Sequence, residues 1–171
     1  MSNLYTRQRG EGKPLLFIHG FPMHQAVWND FGNRFANAYR VITIDLPGFG
    51  RSPILASPFS LEQVADQLIR FLVGQEIFNS AIIGHSLGGY VALEMVQQRP
   101  DLFSAIGLFH STAYADSPEK RESRNKVIEF VEKNGAFAFV SNFVSPLFGH
   151  PGHKEIETVK EIASKSSKEA V

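Results

Sequence analysis

Four short apolar runs, separated by segments of helical periodicity, constrain the fold of this chain more than any other feature. Continuous apolar runs rich in β-branched residues are typical of strands that are buried on both faces of a sheet. Their alternation with helices requires right-handed crossovers and a mostly parallel sheet with helices on both faces. The sequence therefore predicts the α/β fold class. The runs are LLFIH (15–19), VITID (41–45), SAIIGH (80–85) and SAIGLFH (104–110), and residues 4–8 predict a short edge strand.

Two helical segments lie between these strands. In residues 61–72 apolar side chains recur at helical spacing, and Ser60 with Gln63 forms a capping-box pattern at the start. Residues 87–99 predict a second helix, which ends at Pro100 because proline cannot continue a helix. Both helices are long enough to serve as crossovers of a parallel sheet.

The sequence after His110 differs in character. Ser117-Pro118 is typical of an N-cap and first helical position, and Asn134-Gly135 is typical of a helix end. No strand pattern follows. We therefore divide the chain into residues 1–112, the N-terminal part of an α/β core, and residues 113–171, a helical segment. The further helices are predicted over residues 136–144 and 154–168.

Composition excludes several function classes. Seventeen basic residues balance seventeen acidic ones, so no electrostatic field indicates a nucleic-acid or anionic-membrane partner. The chain has no cysteine, which excludes disulfides, thiolate metal sites and cysteine nucleophiles. No apolar run reaches the roughly 18 residues of a membrane helix. We expect a soluble protein, cytoplasmic by default, without a metal or cofactor.

The pattern GxSxG in GHSLG (84–88) is the motif that most directly indicates a chemical function. Ser86 follows a predicted strand and precedes a predicted helix, which is the context of a nucleophile elbow. Gly84 and Gly88 suit a sharp turn where a Cβ would collide with backbone, and Gly89 lets the helix approach the sheet. Ser86 is therefore the candidate catalytic nucleophile toward a carbonyl substrate.

A nucleophilic serine also needs donors directed at the oxyanion that develops on the substrate. The backbone N–H of Leu87 is one candidate, and the N–H of Phe21, in HGF (19–21) after the first central strand, is the second. His19 is expected to brace this loop. The alternative interpretation of HGFP is a strand that simply ends in a Gly-Pro turn. GFGRS (48–52) lacks the residues of a phosphate-binding loop.

The motifs FIHGFP (17–22), DLPGFGRS (45–52) and GHSLGG (84–89), with Trp28 between the first two, resemble the α/β-hydrolase superfamily. They are most similar to its esterase, lactonase, proline-iminopeptidase and cofactor-free haloperoxidase-like branch. The resemblance covers residues 4–112 and implies that the helical segment is a cap inserted after the sixth strand of the fold. Ser86 at the elbow argues against the haloalkane dehalogenases and epoxide hydrolases, which attack with a carboxylate.

The same resemblance implies a catalytic acid and then a histidine on loops after later strands. We expect the sequence to end before both, and this chain alone to be nearly inactive. The unpaired edge of the last strand should then be completed by the remaining C-terminal part of the same enzyme, in the same chain or as a second polypeptide. A swapped homo-oligomer is the other possibility.

For the other histidines and the acidic residues, structural or packing roles are alternatives to catalytic ones. His85 should point away from Ser86 and shape the elbow, and Asp45 in DLPGFG is expected to be structural. His24 and His110 are candidates for pocket lining or for packing. Asp116 follows the fourth strand, as some triad acids do, but has no evident histidine to orient. His150 and His153 fall in the expected cap.

These observations predict a serine hydrolase that cleaves a small carboxylic ester, lactone or related acyl substrate through an acyl-serine intermediate. Two alternatives stay open: a non-catalytic binding protein or receptor with this fold, and a perhydrolase or haloperoxidase-like enzyme. Four phenylalanines of the cap are candidates either for the pocket or for a small core of the cap itself. They are Phe137, Phe139, Phe143 and Phe148.

Overall fold

A computed structural model describes residues 3–56 and 58–171 of the chain. Five strands form one sheet in the order β1-β3-β2-β4-β5. The edge strand β1 is antiparallel to β3, and all other neighbours are parallel. The α/β prediction is therefore confirmed. The strands are β1 (Thr6–Arg9), β2 (Lys13–Ile18), β3 (Tyr39–Ile44), β4 (Ser80–His85) and β5 (Phe103–Phe109).

Helices α2 and α3 occupy the crossovers that the sequence predicts. The capping box of α2 is present, because Ser60 Oγ accepts a hydrogen bond from the Gln63 N–H and Gln63 Oε1 accepts one from the Ser60 N–H. The helices are α1 (Asn29–Asn33), α2 (Leu61–Gly74), α3 (Leu87–Gln98), α4 (Pro118–Asn134), α5 (Ala136–Phe143) and α6 (Ile156–Ala163). Within the described ranges, none of these helices has both the length and the apolar character needed to cross a membrane.

The main hydrophobic core lies between the sheet and the helices α2 and α3. Ile18, Ile42 and Ile82 point from three adjacent strands to this face and pack in one cluster with Leu68 and Val91. All five side chains are buried. This packing fixes α3, and with it the turn at its start, against the centre of the sheet.

The opposite face of the sheet is covered by a 3-10 turn at Gln25–Trp28 and by the short helix α1. Trp28 packs on Phe17 with ring centroids 4.9 Å apart. Towards β5 this face is open, and Phe31 and Phe109 remain about two-fifths exposed. On the outer side of β5, no strand is paired among the described residues.

The helices α4 to α6 follow β5. Ser117 caps α4 by accepting a hydrogen bond from the Lys120 N–H, and Gly135 ends the helix, as the sequence predicts. Val140, Val144 and Ala163 form a small separate core between α5, the turn after it and α6.

The helix α6 is shorter than its prediction over 154–168. Serines beyond Ala163 hydrogen-bond outside the helix: Ser166 Oγ donates to the Pro22 carbonyl, and the Ser167 N–H donates to the Gly48 carbonyl. Serine competes with helical hydrogen bonding in this way. The final residues therefore pack on the loops that follow β2 and β3 instead of extending the helix.

Candidate active site

Ser86 lies in a sharp turn between β4 and α3, with φ 50° and ψ −116°. Three hydrogen bonds hold its main chain: its N–H donates to the Phe109 carbonyl at 3.0 Å, and its carbonyl accepts from the Gly89 N–H at 2.9 Å and from Ser111 Oγ at 2.8 Å. A non-glycine residue at this positive φ is strained, and such strain clusters at functional sites.

The three glycines of GHSLGG make the turn sterically possible. A Cβ on Gly84 would collide with the Gly88 carbonyl, and one on Gly88 would lie 2.5 Å from the carbonyl oxygens of Ile18 and His19. A Cβ on Gly89 would collide with the Ser111 hydroxyl. The backbone of α3 therefore approaches β2 and the end of β5 as closely as only glycine allows.

A cavity of about 810 Å³ opens beside Ser86 at the carboxyl ends of the strands. This volume suits a small-molecule ligand, and the edge where parallel strands end is the usual place for one. Within residues 1–112, the side that faces the cavity includes Phe21, Leu87, Tyr90 and Ser111. Ser86 and both predicted oxyanion-binding residues thus border one space.

The main-chain N–H groups of Phe21 and Leu87 are free in the described part of the chain, since neither donates a hydrogen bond there. Leu87 is the first residue of α3, where an N–H has no intrahelical acceptor. Two donors that are unpaired among the described residues, on residues that line the same cavity as Ser86, are suited to an oxygen that acquires negative charge.

His19 braces the loop that carries Phe21. The ring is completely buried, its Nε2 accepts a hydrogen bond of 2.9 Å from the Leu46 N–H, and its Nδ1 lies 3.1 Å from the Gly20 carbonyl oxygen. This pair of contacts fits a neutral ring that donates from Nδ1. Burial lowers the pKa of His19 to about 3. The imidazole therefore ties the loops after β2 and β3 together as an uncharged group.

Asp45 has a structural role, as the sequence predicts. Its buried carboxylate accepts hydrogen bonds from the N–H groups of Gln25, at 2.7 Å, and Arg51, at 2.9 Å. His24 Nδ1 lies 3.7 Å from the same carboxylate. Burial lowers the pKa of His24 and raises that of Asp45. His24 therefore packs beside Asp45, and it does not line the cavity.

His85 lies on the opposite face of the sheet from the cavity. Its ring centroid is 6.1 Å from that of Trp28 and 5.7 Å from that of Phe109. Burial lowers its pKa. Its side chain therefore packs under the elbow against Trp28 and Phe109 and points away from the cavity.

Over residues 3–56 and 58–171 no catalytic triad is assembled. No side-chain hydrogen bond joins Ser86 to a histidine there, and the His24–Asp45 pair is the single His–carboxylate contact within 4.0 Å. His110 lines the cavity but has no carboxylate partner among the residues that the structure describes. The same residues hold no group of three His, Asp or Glu side chains placed to bind a metal ion.

Helix α4 contributes a face to the cavity that sequence reasoning missed. Lining residues recur at helical spacing as Lys120, Ser123, Arg124, Val127 and Ile128. The spacing i, i+3, i+4, i+7, i+8 could have revealed this face, but the mixture of charged and apolar residues concealed it.

Asp116 forms ion pairs with the two cations of this helix face, Lys120 and Arg124. Its carboxylate contacts Lys120 Nζ at 3.3 Å and the guanidinium of Arg124, and the hydrogen bond from Arg124 is the main cause of its lowered pKa. Arg124 also lies beside the Tyr90 hydroxyl. Asp116 therefore pairs with cations, and no histidine is within hydrogen-bonding reach of it in the described structure.

Three of the four phenylalanines take one of the two roles left open by the sequence, and Phe137 takes neither. Phe139 and Phe143 line the cavity and contact Phe21, each with ring centroids 5.8 Å from it. Phe148 packs on the small core between α5 and α6, and Phe137 is largely exposed.

The sequence and the structure both have clear relatives. The chain is 38% identical over 105 residues to the pimeloyl-[acyl-carrier protein] methyl ester esterase of Aliivibrio salmonicida, which covers 61% of this chain and 38% of that protein. It is 30% identical over 154 residues to the (E)-2-((N-methylformamido)methylene)succinate hydrolase of Acinetobacter baylyi, covering 89% of this chain and 56% of that protein. The structure matches a thermophilic esterase from Thermogutta terrifontis with a TM-score of 0.87 and 28% identity, over 98% of this chain and 64% of that one.

The chain thus spans less than two thirds of the length of these relatives. The mostly parallel sheet agrees with the structural match. A family model described as the alpha/beta hydrolase family matches residues 15–161. The protein therefore belongs to the alpha/beta hydrolase family.

Proposed function

We propose that the protein is a serine hydrolase of small carboxylic esters, lactones or related acyl compounds, with Ser86 as the nucleophile. The observation that carries the proposal is the position of Ser86 on a strained turn at the cavity, beside two main-chain N–H groups without acceptors. The Aliivibrio and Thermogutta relatives are named as esterases, which supports an ester as substrate.

In the proposed reaction, Ser86 Oγ bonds to the acyl carbon while its proton passes to a general base. The carbonyl oxygen becomes negative and accepts hydrogen bonds from the Phe21 and Leu87 N–H groups, each worth about 3 kcal/mol in the transition state. The leaving alcohol departs with the proton held by the base. Water then cleaves the acyl-serine ester by the same steps and releases the acid.

We propose that the base is a histidine, oriented by an acid, from a segment outside these 171 residues. Two observations support this: no described histidine is hydrogen-bonded to Ser86, and the relatives are longer than the part of them that this chain matches. The same segment, in the same polypeptide or in a second one, would pair with the open edge of β5. We propose that residues 113–171 act as the cap over the cavity, because α4 and α5 line it.

An active-site-directed fluorophosphonate tests the nucleophile. With the C-terminal segment of a relative added to supply the base, we expect one phosphonyl adduct on the peptide that contains Ser86, found by tandem mass spectrometry, and none in Ser86→Ala. Ser104→Ala is the matched control, since this exposed hydroxyl binds only the Asn79 carbonyl. Labelling of the control but not of Ser86→Ala supports the proposal. A folded protein that shows no Ser86 adduct, both alone and with the C-terminal segment of a relative added, contradicts it.

The second candidate is a binding protein with this fold and no turnover. The observation that favours it is that no described His–carboxylate pair lies at the cavity. Fluorophosphonate labelling distinguishes the two candidates, since a binding protein would form no covalent adduct on Ser86.

A further inference from the structure

The cavity has an apolar part and a charged part. The charged side chains that line it have one sign, and Val171, the last residue of the sequence, also borders it. Among the described residues, Lys120 and Arg124 are the only formally charged side chains that line it. The remaining lining of α4 is Ser123, Val127 and Ile128. One helix face therefore presents two cations in its first turns and apolar side chains further along.

The acidic residues of α4 are all directed elsewhere. The helix carries four glutamates, and none of them lines the cavity. They are Glu119, Glu122, Glu129 and Glu132. The sign of the charge at the cavity therefore follows from the helical register and not from the composition of the helix, which carries four acidic and five Lys or Arg side chains.

Asp116 balances only part of this charge. Its single carboxylate contacts both Lys120 and Arg124, so one positive charge is left over in the group of three. A guanidinium has five N–H donors, and the Asp116 carboxylate has only two oxygens with which to accept them. Both cationic side chains are about half exposed, whereas Asp116 is largely covered. Donors on Arg124 and Lys120 thus remain open to a ligand while Asp116 fixes their position.

We propose that the substrate carries a carboxylate or another anionic group remote from the acyl carbon, and that Arg124 and Lys120 bind this group while Ser86 faces the carbonyl. The inference rests on the proposed function and specifies its substrate class. Apolar side chains such as Val127 and Phe139 line the space that the carbon chain would occupy. Guanidinium groups bind carboxylates through paired, charge-assisted hydrogen bonds.

Equilibrium binding tests this without requiring turnover. The full chain with Ser86→Ala is titrated by calorimetry with monomethyl adipate, which carries one carboxylate, and with dimethyl adipate, its neutral counterpart. We expect monomethyl adipate to bind about tenfold more tightly, the effect of one hydrogen bond between charged groups. Added salt should reduce this preference because it screens half-exposed charges.

Substitutions test whether Arg124 and Lys120 cause the preference for monomethyl adipate. Arg124→Gln and Lys120→Gln should each weaken monomethyl adipate binding severalfold and leave dimethyl adipate unchanged. Lys133→Gln is the matched control, since it removes the same charge from the same helix away from the cavity. Equal affinity of the two esters in the parent protein overturns the inference, as does an equal loss of both esters in Arg124→Gln.

Fluorophosphonate labelling of the protein with Ser86 intact separates the two proposals. An adduct on Ser86 together with equal binding of the two esters contradicts the inference of an anionic substrate and leaves the hydrolase proposal standing. Absence of an adduct, both alone and with the C-terminal segment of a relative added, together with a preference for monomethyl adipate contradicts the hydrolase and supports the anion site as part of a binding protein. If neither ester binds, the inference is wrong.

Discussion

Ser111 Oγ donates a hydrogen bond of 2.8 Å to the main-chain carbonyl of Ser86. The same hydroxyl occupies the space that a side chain on Gly89 would need. The residue just after β5 therefore secures the strained turn between β4 and α3 from the side, and the position of the candidate nucleophile depends on two neighbouring strands.

Removal of this hydroxyl tests that dependence. We expect Ser111→Ala to lower the free energy of unfolding by about 1 kcal/mol, the usual value of one such hydrogen bond, and to slow fluorophosphonate labelling of Ser86. Urea denaturation and labelling kinetics measure the two effects. Ser104→Ala, which also removes a serine hydroxyl bound to a carbonyl, should leave the labelling rate unchanged. Equal labelling rates in both variants would show that Ser111 does not position Ser86.

Close backbone approach at the elbow predicts a large effect for Gly84→Ala. The new Cβ would collide with the Gly88 carbonyl, which is backbone and cannot rotate away. We expect a loss of at least about 2 kcal/mol in the free energy of unfolding, measured by urea denaturation. Gly74→Ala is the control, because its Cβ meets nothing within 4 Å, and it should be neutral or stabilising by up to about 1 kcal/mol. Similar stabilities of the two variants would contradict the steric argument.

The buried His19 predicts a loss of stability in acid. Its pKa is about 3 in the folded protein, whereas an unfolded chain gives histidine an ordinary pKa of about 6.5. Between these values the unfolded state binds more protons, so the contribution of His19 is complete above about pH 6.5 and is lost as the pH falls towards 3. One such group gives a slope of at most about 1.4 kcal/mol per pH unit.

His24 and His85 have pKa values lowered by burial and act in the same direction, so the test compares variants. Urea denaturation between pH 7 and pH 4.5 should show a shallower pH dependence for His19→Gln than for the parent protein. His150→Gln, an exposed substitution, should keep the parent slope. An unchanged slope in His19→Gln would mean that His19 binds protons in the folded protein as it does in the unfolded chain, which contradicts a lowered pKa.

Asp45 joins the 3-10 turn before α1 to the loop after β3. Asp45→Asn leaves one acceptor oxygen for the two N–H groups of Gln25 and Arg51, so we expect a loss of about 2 kcal/mol in the free energy of unfolding. Asp66→Asn is the control, since its ion pair with Arg70 is exposed and worth less than about 1 kcal/mol. Thermal denaturation of both variants measures the difference, and equal melting temperatures would contradict the structural role of Asp45.

Much of the core was predictable because its signals are local. The apolar runs, the Ser60–Gln63 capping box and the Gly135 stop each depend on residues within a few positions of one another, and each is confirmed. Ser86 was predictable for the same reason, since the strand, the turn and the helix around it are contiguous. The roles of Ser86, Phe21 and Leu87 in catalysis stay predictions.

Contacts between distant segments were not predictable in this way. Nothing near Ser111 in the sequence indicates that its hydroxyl reaches the Ser86 carbonyl, because the contact depends on the pairing of β5 with β4. The end of α6 was predicted too far along the chain, since Ser166 and Ser167 find partners in loops that lie far away in the sequence.

The charge of the cavity depends on the rotational phase of α4. One residue inserted after Pro118 would turn the helix beyond it by about 100° relative to the cavity. Glu119 and Ser123 would then take the places of Lys120 and Arg124, and Glu122 would take that of Ser123. Lys126 would take the place of Val127, so the α4 lining would hold two carboxylates and one cation instead of two cations. A one-residue change in helix phase is therefore enough to reverse the sign of the charge that α4 presents to the cavity.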